Sequence, residues 1–473
     1  MSPHGDDLLP EGHRQGLPGG TAESSPRHAR VRNRRDPHRC CHKSPQALAL
    51  GLREQSTRGY AVNAVWLPLA RIERDSGYAS GLTGDVGRSG SLLAEISRSL
   101  FASLPRADQR NKGVEYVRGL LETPGRKSIR NMAHLLGGRA TDQSLHHFIS
   151  ESTWDWTPVR QALAQYLVPR LPVAAWVVQN MVIRKAGQHS VGVDRKFVPA
   201  AGRVLNAQQA IGVWAASGSR SSPVNWGLHL PQGWIEDAPR RSRASIPDNA
   251  ELETLADRAA KLCVELVSDW AMPVRPVVFD SRLMDVTTIV DRLGRRGIPF
   301  VTRIDASVPL TVTDPALTGH RGSTVMQAAE IVRAAKGTSQ PVRRREPGPG
   351  GALRPGRLAH VAVKYHAGRT GLRRACGARQ MVLLGLADNN APDAPQLWLT
   401  DMLKVHPAVL LKLCALLDRV EYDFDEVAKN VGIEDYAGRS FDGWHRHVTL
   451  ASAAHAVSVL TSAHGTFAAG GTG

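Results

Sequence analysis

One carboxylate at the end of a short apolar run is the feature of this sequence that most suggests chemistry. Asp280 ends the run Arg275–Asp280, which reads as a β-strand. At the carboxyl ends of strands in an α/β sheet, side chains reach past the packed core into a crevice where ligands and metals bind. Asp280 is therefore a candidate metal ligand. The alternative is that it caps the helix that follows, a common role for Asp after a strand.

The residues after Asp280 predict the elements that must hold it in place. Residues Asp285–Arg296 carry apolar side chains at helical spacing and stop at Gly297, a residue that often ends helices. Ile298–Arg303 then reads as a second short strand. The unit is β-α-β, so the two strands are expected to be parallel, with Asp280 at the edge where they end.

Acidic residues recur on a long helix predicted near the end of the chain, over Pro407–Asn430. Glu421 is one of them, and Asp425 and Glu426 follow about one turn later. Several short strands over residues 171–230 read as an antiparallel meander. The order of meander, helix, strand and late acidic helix resembles an RNase H-like core, an α/β fold with a mixed sheet flanked by helices.

The chain divides by composition and periodicity into five parts. We expect a disordered basic extension at 1–85, a helical DNA-binding domain at 86–170, the first part of the core at 171–305, an insertion before the last catalytic helix at 306–395, and the C-terminal part of the core at 396–465. A flexible loop rich in Arg, Pro and Gly is predicted within the insertion, at Pro341–Arg357, where Arg343, Arg344 and Arg345 form a charge cluster.

Charge indicates the kind of partner. The 473 residues include 60 Lys and Arg against 43 Asp and Glu, a formal net charge of +17. Such an excess favours a polyanion, and nucleic acid first. We find no apolar run of the ~20 residues that a membrane span needs and no signal-peptide pattern, so we expect no membrane partner and a cytoplasmic, nucleoid-associated protein. Five scattered cysteines fit neither a disulfide framework nor a zinc site.

Separated blocks in a fixed order resemble the DDE transposases of bacterial insertion sequences, in the branch common in actinobacteria. The blocks are Gly187–Val193, Leu228–Trp234, Ala238–Asp248, Leu397–Thr400 and Tyr436–Leu450. The resemblance covers roughly residues 110–460. It implies an RNase H-like DDE endonuclease, in which three acids surround two divalent cations that assist phosphoryl transfer. Mg²⁺ or Mn²⁺ is the implied cofactor, because hard cations prefer oxygen ligands.

Carrying the family acids onto this sequence leaves one position without a carboxylate. The resemblance assigns the second Asp to Asp280 and the Glu to Glu421, which are the implied catalytic and metal-binding residues. Gln179 stands where the family has its first Asp. Neutral oxygen ligands do not offset the charge of two divalent ions, so we expect the nuclease chemistry to be weakened or absent. An alternative for Glu421 is a solvated acidic helix face.

Basic residues around these positions are the predicted DNA contacts. They are Arg184, Lys185, His189, Arg419, Arg439, His445 and His447. Arg419 matches the family Arg two residues before the Glu, and is expected to orient that Glu or to touch a phosphate. His445 and His447 have the alternate spacing of a metal pair, but without a third ligand nearby they fit helix-capping or phosphate-facing residues better.

Two functions from different classes remain. The first is a transposase-like protein that binds double-stranded DNA, at the element ends and at the target, and cuts and joins phosphodiester bonds. A homodimer is compatible with this function. The second is a catalytically inactive, degenerate or repurposed DNA-binding protein of the same fold, which Gln179 favours. An unrelated α/β hydrolase is a weaker third, since the sequence has neither a Gly-x-Ser-x-Gly elbow nor a His-Glu-x-x-His helix.

Overall fold

The computed structural model describes residues 86–468, apart from 139, 199–200, 318, 320–324, 349–350, 367–377 and 390. The expected disordered extension at 1–85 lies outside this part. All described residues fall within one compact unit. In the described part of the chain, no helix combines the length and the apolar character needed to cross a bilayer.

One mixed sheet organises the described residues. Its strands are β1 Ala175–Arg184, β2 Asp194–Val198, β3 Arg203–Ala216, β4 Ser221–His229, β5 Val277–Asp280, β6 Phe300–Ile304, β7 Pro309–Val312, β8 Val325–Gln327, β9 Gln340–Arg345, β10 Leu353–Tyr365, β11 Arg379–Asp388 and β12 Ala391–Thr400. Among the described residues their order is β2-β3-β1-β5-β6-β12-β11-β10-β7-β8, with β4 on β3 and β9 on β10. The sheet is therefore continuous from the predicted core into the predicted insertion.

Helices surround the sheet. They are α1 Val86–Leu100, α2 Ala107–Glu122, α3 Ile129–Leu136, α4 Asp142–His146, α5 Thr157–Leu167, α6 Gln232–Ile235, α7 Ala238–Arg243, α8 Leu255–Val264, α9 Val286–Arg295, α10 Ala328–Ala334, α11 Pro407–Asp423 and α12 Phe441–Ala468. A π-helical turn extends α4, α8 and α11 by five residues each.

The centre of the sheet is the part that the sequence predicted best. Strands β1, β5 and β6 are parallel neighbours, and β3 joins β1 in antiparallel pairing. The crossover helices α8 and α9 connect β4 to β5 and β5 to β6, as the β-α-β reading requires. The predicted α/β fold, an RNase H-like mixed sheet flanked by helices, is confirmed.

Strand β4 shows how helices cover both faces of this sheet. Trp226 donates its indole hydrogen to Ser452 of α12 at 2.8 Å, whereas the adjacent Asn225 donates to Glu265 in the turn that extends α8, at 3.1 Å. Because successive strand residues point to opposite faces, α12 and α8 lie on opposite sides of β4.

The insertion corrects the loop prediction. Residues Pro341–Arg357 belong mainly to a hairpin, in which β9 pairs with the first half of β10, from Leu353↔Arg345 to Leu358↔Gln340. Arg344 of this hairpin pairs with Asp418 of α11 at 3.0 Å. An Arg-rich strand lacks the alternation of apolar and polar residues by which strands are recognised, so composition alone indicated a loop.

The helices before the sheet pack on α12 through a buried arginine. Arg160 of α5 is buried and donates to the Thr449 hydroxyl at 2.7 Å and to the Trp226 carbonyl at 2.7 Å. Its guanidinium also lies 2.9 Å from His445 Nδ1. Arg160 thus joins α5, β4 and α12, and its loss would leave several buried polar groups without partners.

We predict that Arg160→Met lowers the free energy of unfolding by about 3 kcal/mol, because the buried hydroxyl, carbonyl and imidazole lose their shared donor. Urea unfolding followed by circular dichroism measures the change. The matched control is Arg170→Met, which removes an exposed pair with Glu95 and should cost under about 1 kcal/mol. Equal losses for the two variants would contradict the role given to Arg160.

Candidate functional site

Strand pairing places two of the positions that the sequence singled out, Gln179 and Asp280, in one row with a third polar residue. Strands β1 and β5 are parallel with Val178 opposite Phe279, so Gln179 and Asp280 are the next residues along each strand. Asp280 in turn pairs with Arg303 of β6. Gln179, Asp280 and Arg303, here called the strand-end row, therefore lie side by side across three adjacent parallel strands, with side chains on the same face.

Helix α11 covers this face of the sheet and brings Glu421 to it. The strand-end row and Glu421 line one open cleft of about 1270 Å³. Glu421 and Asp280 lie close enough that the Asp280 charge contributes to the raised pKa of Glu421. The two acids that the resemblance selected, and the glutamine in the place of the third, thus face one space.

Asp280 is held by an arginine two residues away. Arg282 donates from Nε to both carboxylate oxygens of Asp280 at 3.0 Å, and from Nη2 to Oδ2 at 2.6 Å. The Arg282 backbone N–H also donates to Oδ1 at 3.0 Å. Asp280 does not cap the next helix, because Asp285 does so through the Thr287 and Thr288 amides. The N-cap alternative for Asp280 is therefore wrong.

Glu421 is exposed and sits among other charges. Desolvation within the cleft raises the pKa of Glu421 first, and the nearby Asp418 and Asp425 carboxylates raise it further. Arg303 acts in the opposite direction. In these surroundings the Glu421 carboxylate binds a proton more readily than a free glutamate does. A nearby cation would therefore stabilise its ionised form.

Gln179 has an unsatisfied polar atom. Its Oε1 is buried and makes no hydrogen bond within the described residues. A buried carbonyl oxygen without a donor costs free energy, about 1–3 kcal/mol in mutational data. This oxygen could accept a hydrogen bond or meet a cation, but it carries no formal charge.

The residues of the cleft do not fit a two-metal site as they stand. No group of three His, Cys, Asp or Glu side chains in the described part of the chain is arranged to hold a metal ion. Both oxygens of Asp280 are engaged by Arg282, and Gln179 is neutral. Two divalent ions about 3.5–4 Å apart need several carboxylates to balance their charge. The predicted metal-binding role of Asp280 and Glu421 stays a prediction.

Most of the predicted DNA contacts line the cleft. Arg184 and His189, beside the end of β1, and Arg439, before α12, are exposed there. Lys185 also lines it, but its ammonium group donates to the carbonyls of Glu434 and Tyr436, at 3.3 and 2.7 Å. Burial, mainly, lowers the pKa of Lys185 to about 8. Lys185 therefore ties the loop before α12 to β1 as well as facing the cleft.

Two predicted DNA contacts, His445 and His447, are corrected by their burial, and a third, Arg419, is engaged by a neighbouring acid. His445 and His447 are 5% and 1% exposed, in the core around α12. His447 bonds to the Tyr116 hydroxyl at 2.9 Å, and burial lowers its pKa to about 4. Arg419 is 13% exposed and pairs with Asp423 at 3.3 Å. Buried imidazoles cannot reach DNA phosphates. The predicted DNA contact of Arg419, whose guanidinium pairs with Asp423, stays a prediction.

Sequence reasoning missed Arg126, Arg282 and Arg303. Arg126, from the loop between α2 and α3, lines the cleft although it is far from the core in sequence. Arg303 could have been found, because it ends the second strand of the predicted β-α-β unit, at the same sheet edge as Asp280. Arg282 is close to Asp280 in sequence, but its side-chain direction was not predictable from spacing.

These elements define the class of protein: an RNase H-like nuclease fold, with an acid at the end of a central strand and another on the helix that covers it. The family model described as DDE superfamily endonuclease matches residues 99–348, more than half of the chain, and the protein belongs to this family. The match includes Gln179 and Asp280 and ends before α11. No curated protein matches the chain significantly. The predicted resemblance to DDE-type transposases is confirmed.

We predict that Gln179→Asp raises the affinity of the cleft for Mn²⁺ by about tenfold or more, because it adds a carboxylate beside Asp280. Adding Arg282→Ala should raise the affinity further, since it frees the Asp280 oxygens. Electron paramagnetic resonance of free Mn²⁺ gives the affinity without relying on catalysis.

The control for this titration is Gln143→Asp, which adds a carboxylate at an exposed position of α4. It should leave Mn²⁺ binding unchanged, and Asp280→Ala should reverse the gain from Gln179→Asp. A gain that survives Asp280→Ala would show that position 179 and Asp280 do not share a metal site.

Proposed function

We propose that this protein is a transposase-like member of the DDE superfamily that binds double-stranded DNA in the cleft and has lost most of its ability to cut it. The observation that carries the proposal is the strand-end row, in which a neutral glutamine and an arginine flank Asp280. The fold and family support a DNA substrate, and the row supports reduced chemistry.

The rim of the cleft supports DNA binding. Arg126, Arg184 and Arg439 are exposed there, and none of the three guanidinium groups makes an ion pair or hydrogen bond within the described residues. Unpaired arginines at the edge of a groove are suited to backbone phosphates, which supply most of the affinity in non-specific DNA binding. His189 adds a further polar contact at the same rim.

The loss of cleavage follows from charge. Phosphoryl transfer in this fold depends on cations held by several carboxylates, which stabilise the attacking and leaving oxygens. Removing one preorganised charged group from such a site typically costs about 10²–10³ in rate. Gln179 supplies an oxygen but no charge, and Arg282 occupies the carboxylate that remains on the sheet.

Cutting and joining of phosphodiester bonds is the second candidate function. The observation that favours it is that Asp280 and Glu421 still line the same cleft. These residues would hold the Mg²⁺ or Mn²⁺ that DDE endonucleases generally use. The helical region at 86–170 would add DNA contacts in either case, as the sequence predicts.

We predict that Arg184→Gln and Arg439→Gln each weaken binding of a labelled duplex about threefold to tenfold, and lower the slope of log affinity against log salt by about 0.9 for each lost phosphate contact. Fluorescence anisotropy across a salt series measures both quantities. The matched control is Arg295→Gln on α9, which is exposed and lies outside the cleft.

The same assay distinguishes DNA binding outside the cleft from the absence of DNA binding. Equal affinities for the Arg184, Arg439 and Arg295 variants would show that DNA is bound outside the cleft. No duplex binding by the unaltered chain at low salt would overturn the proposed function. A gel of the same samples shows whether strands are cut, and we expect little or no product from the unaltered protein.

A further inference from the structure

Arg282 presents a charged surface to the cleft even while it binds Asp280. Its contacts with the carboxylate use Nε and Nη2, and no described residue accepts a hydrogen bond from Nη1. The side chain is 46% exposed. A guanidinium group has five N–H donors in a planar fork, so a second anion can be bound on the side that faces away from Asp280.

Arg303 makes no direct ion pair within the described residues, although three carboxylates act on it through their charges. It is half-buried on β6, opposite Asp280 in the strand register, and its guanidinium makes no ion pair or hydrogen bond within the described residues. Burial lowers the pKa of Arg303 and the neighbouring Arg282 adds to this effect, whereas the charges of Asp280, Asp418 and Glu421 act in the opposite direction. A half-buried guanidinium without a partner is costly, and an anion in the cleft would relieve that cost.

The charges around the strand-end row balance without a metal. Arg282 and Arg303 oppose the negative charges of Asp280 and Glu421. The neighbouring carboxylates are paired as well, Asp418 with Arg344 and Asp425 with Lys429. A site with three carboxylates and no arginine would repel a phosphate until cations neutralised it. Gln179 and the two arginines remove that requirement here.

We propose that Arg282 and Arg303 together bind one phosphate group of the DNA backbone directly, so that DNA binding in this cleft needs no divalent metal. Arg282 reaches the phosphate from the turn that follows β5, and Arg303 from the adjacent strand β6. Both arginines line the same cleft, and they lie close enough for the charge of Arg282 to lower the pKa of Arg303. The inference rests on the proposed function, because it requires that DNA enters the cleft.

The experiment measures binding of a labelled duplex by the full chain, at constant ionic strength, in EDTA and in Mg²⁺. Metal-independent phosphate binding requires that EDTA does not weaken the complex. In EDTA, Arg282→Gln and Arg303→Gln should each lower the affinity about fivefold to tenfold, as expected for loss of a charge-assisted contact. The double variant should lose less than the product of the two, because both arginines bind one phosphate.

The substitution Asp280→Asn should change the affinity for DNA in opposite directions for the two possible roles of this carboxylate, as a neighbour of a phosphate-binding arginine or as a metal ligand. If Arg282 binds the phosphate, removing the negative charge beside it should strengthen DNA binding in EDTA by about twofold to fivefold. If Asp280 instead holds a metal that bridges to DNA, the same substitution should weaken binding in Mg²⁺. Arg295→Gln is again the control, and thermal unfolding confirms that each variant is folded.

The outcomes separate the inference from the proposed function. Duplex binding that is lost in EDTA, restored by Mg²⁺ and abolished by Asp280→Asn overturns metal-independent binding and leaves DNA binding in the cleft intact. Binding that persists in EDTA but is unchanged in the Arg282 and Arg303 variants also overturns the inference. Absence of binding under every condition overturns the proposed function itself.

Discussion

Parallel pairing of β1 with β5, and of β5 with β6, is the constraint on which the site depends. It brings Gln179, Asp280 and Arg303 side by side although more than a hundred residues separate the first from the last. The antiparallel strand β3 fixes β1 from its other edge through ten residue pairs. A shift of β1 by one residue would turn Gln179 to the opposite face, so the buried face of each strand specifies the register.

Electrostatics in the cleft differ from those of a site built for two cations. Arg282 donates hydrogen bonds to both carboxylate oxygens of Asp280. The positive charge of Arg303 lowers the pKa of Glu421. Arg344 of the insertion pairs with Asp418, which lies on the same helix as Glu421. Asp280, Glu421 and Asp418 thus each have an arginine within electrostatic reach, and Asp425 pairs with Lys429. The result is a surface that can bind an anion directly. A metal site built from carboxylates would have to bind cations before it could bind an anion.

The sequence predicted those elements whose patterns are local. Strands β5 and β6 and helix α9 were recognisable because an apolar run, a helical period and Gly297 follow one another within a few residues. The wrong predictions depended on long-range packing. His445 and His447 lie on α12, which is buried nearly all round, and their alternate spacing carries no information about burial. The hairpin of β9 and β10 was hidden because consecutive arginines occupy both the exposed and the half-buried positions of β9, so the sequence shows no alternation of apolar and polar residues.

The candidate site was predictable in part for the same reason. Asp280 and Glu421 could be carried over from family motifs, and the structure places both at one cleft. The role of Arg282 depends on which way one side chain turns, and that of Arg303 on the pairing of two strands. The side-chain direction of Arg282 does not follow from residue type and spacing. The position of Arg303 at the same sheet edge as Asp280 could have been predicted and was missed.

The central claim is that the cleft retains a nuclease scaffold whose chemistry fails at position 179. The most direct measurement is strand cleavage of a labelled duplex carrying the element's own ends, in Mg²⁺ and in Mn²⁺, by the unaltered chain and by Gln179→Asp with Arg282→Ala. Our account predicts no cleavage by the unaltered chain and cleavage by the double variant that Glu421→Gln removes. Efficient cleavage by the unaltered chain, lost in Asp280→Ala, would contradict it.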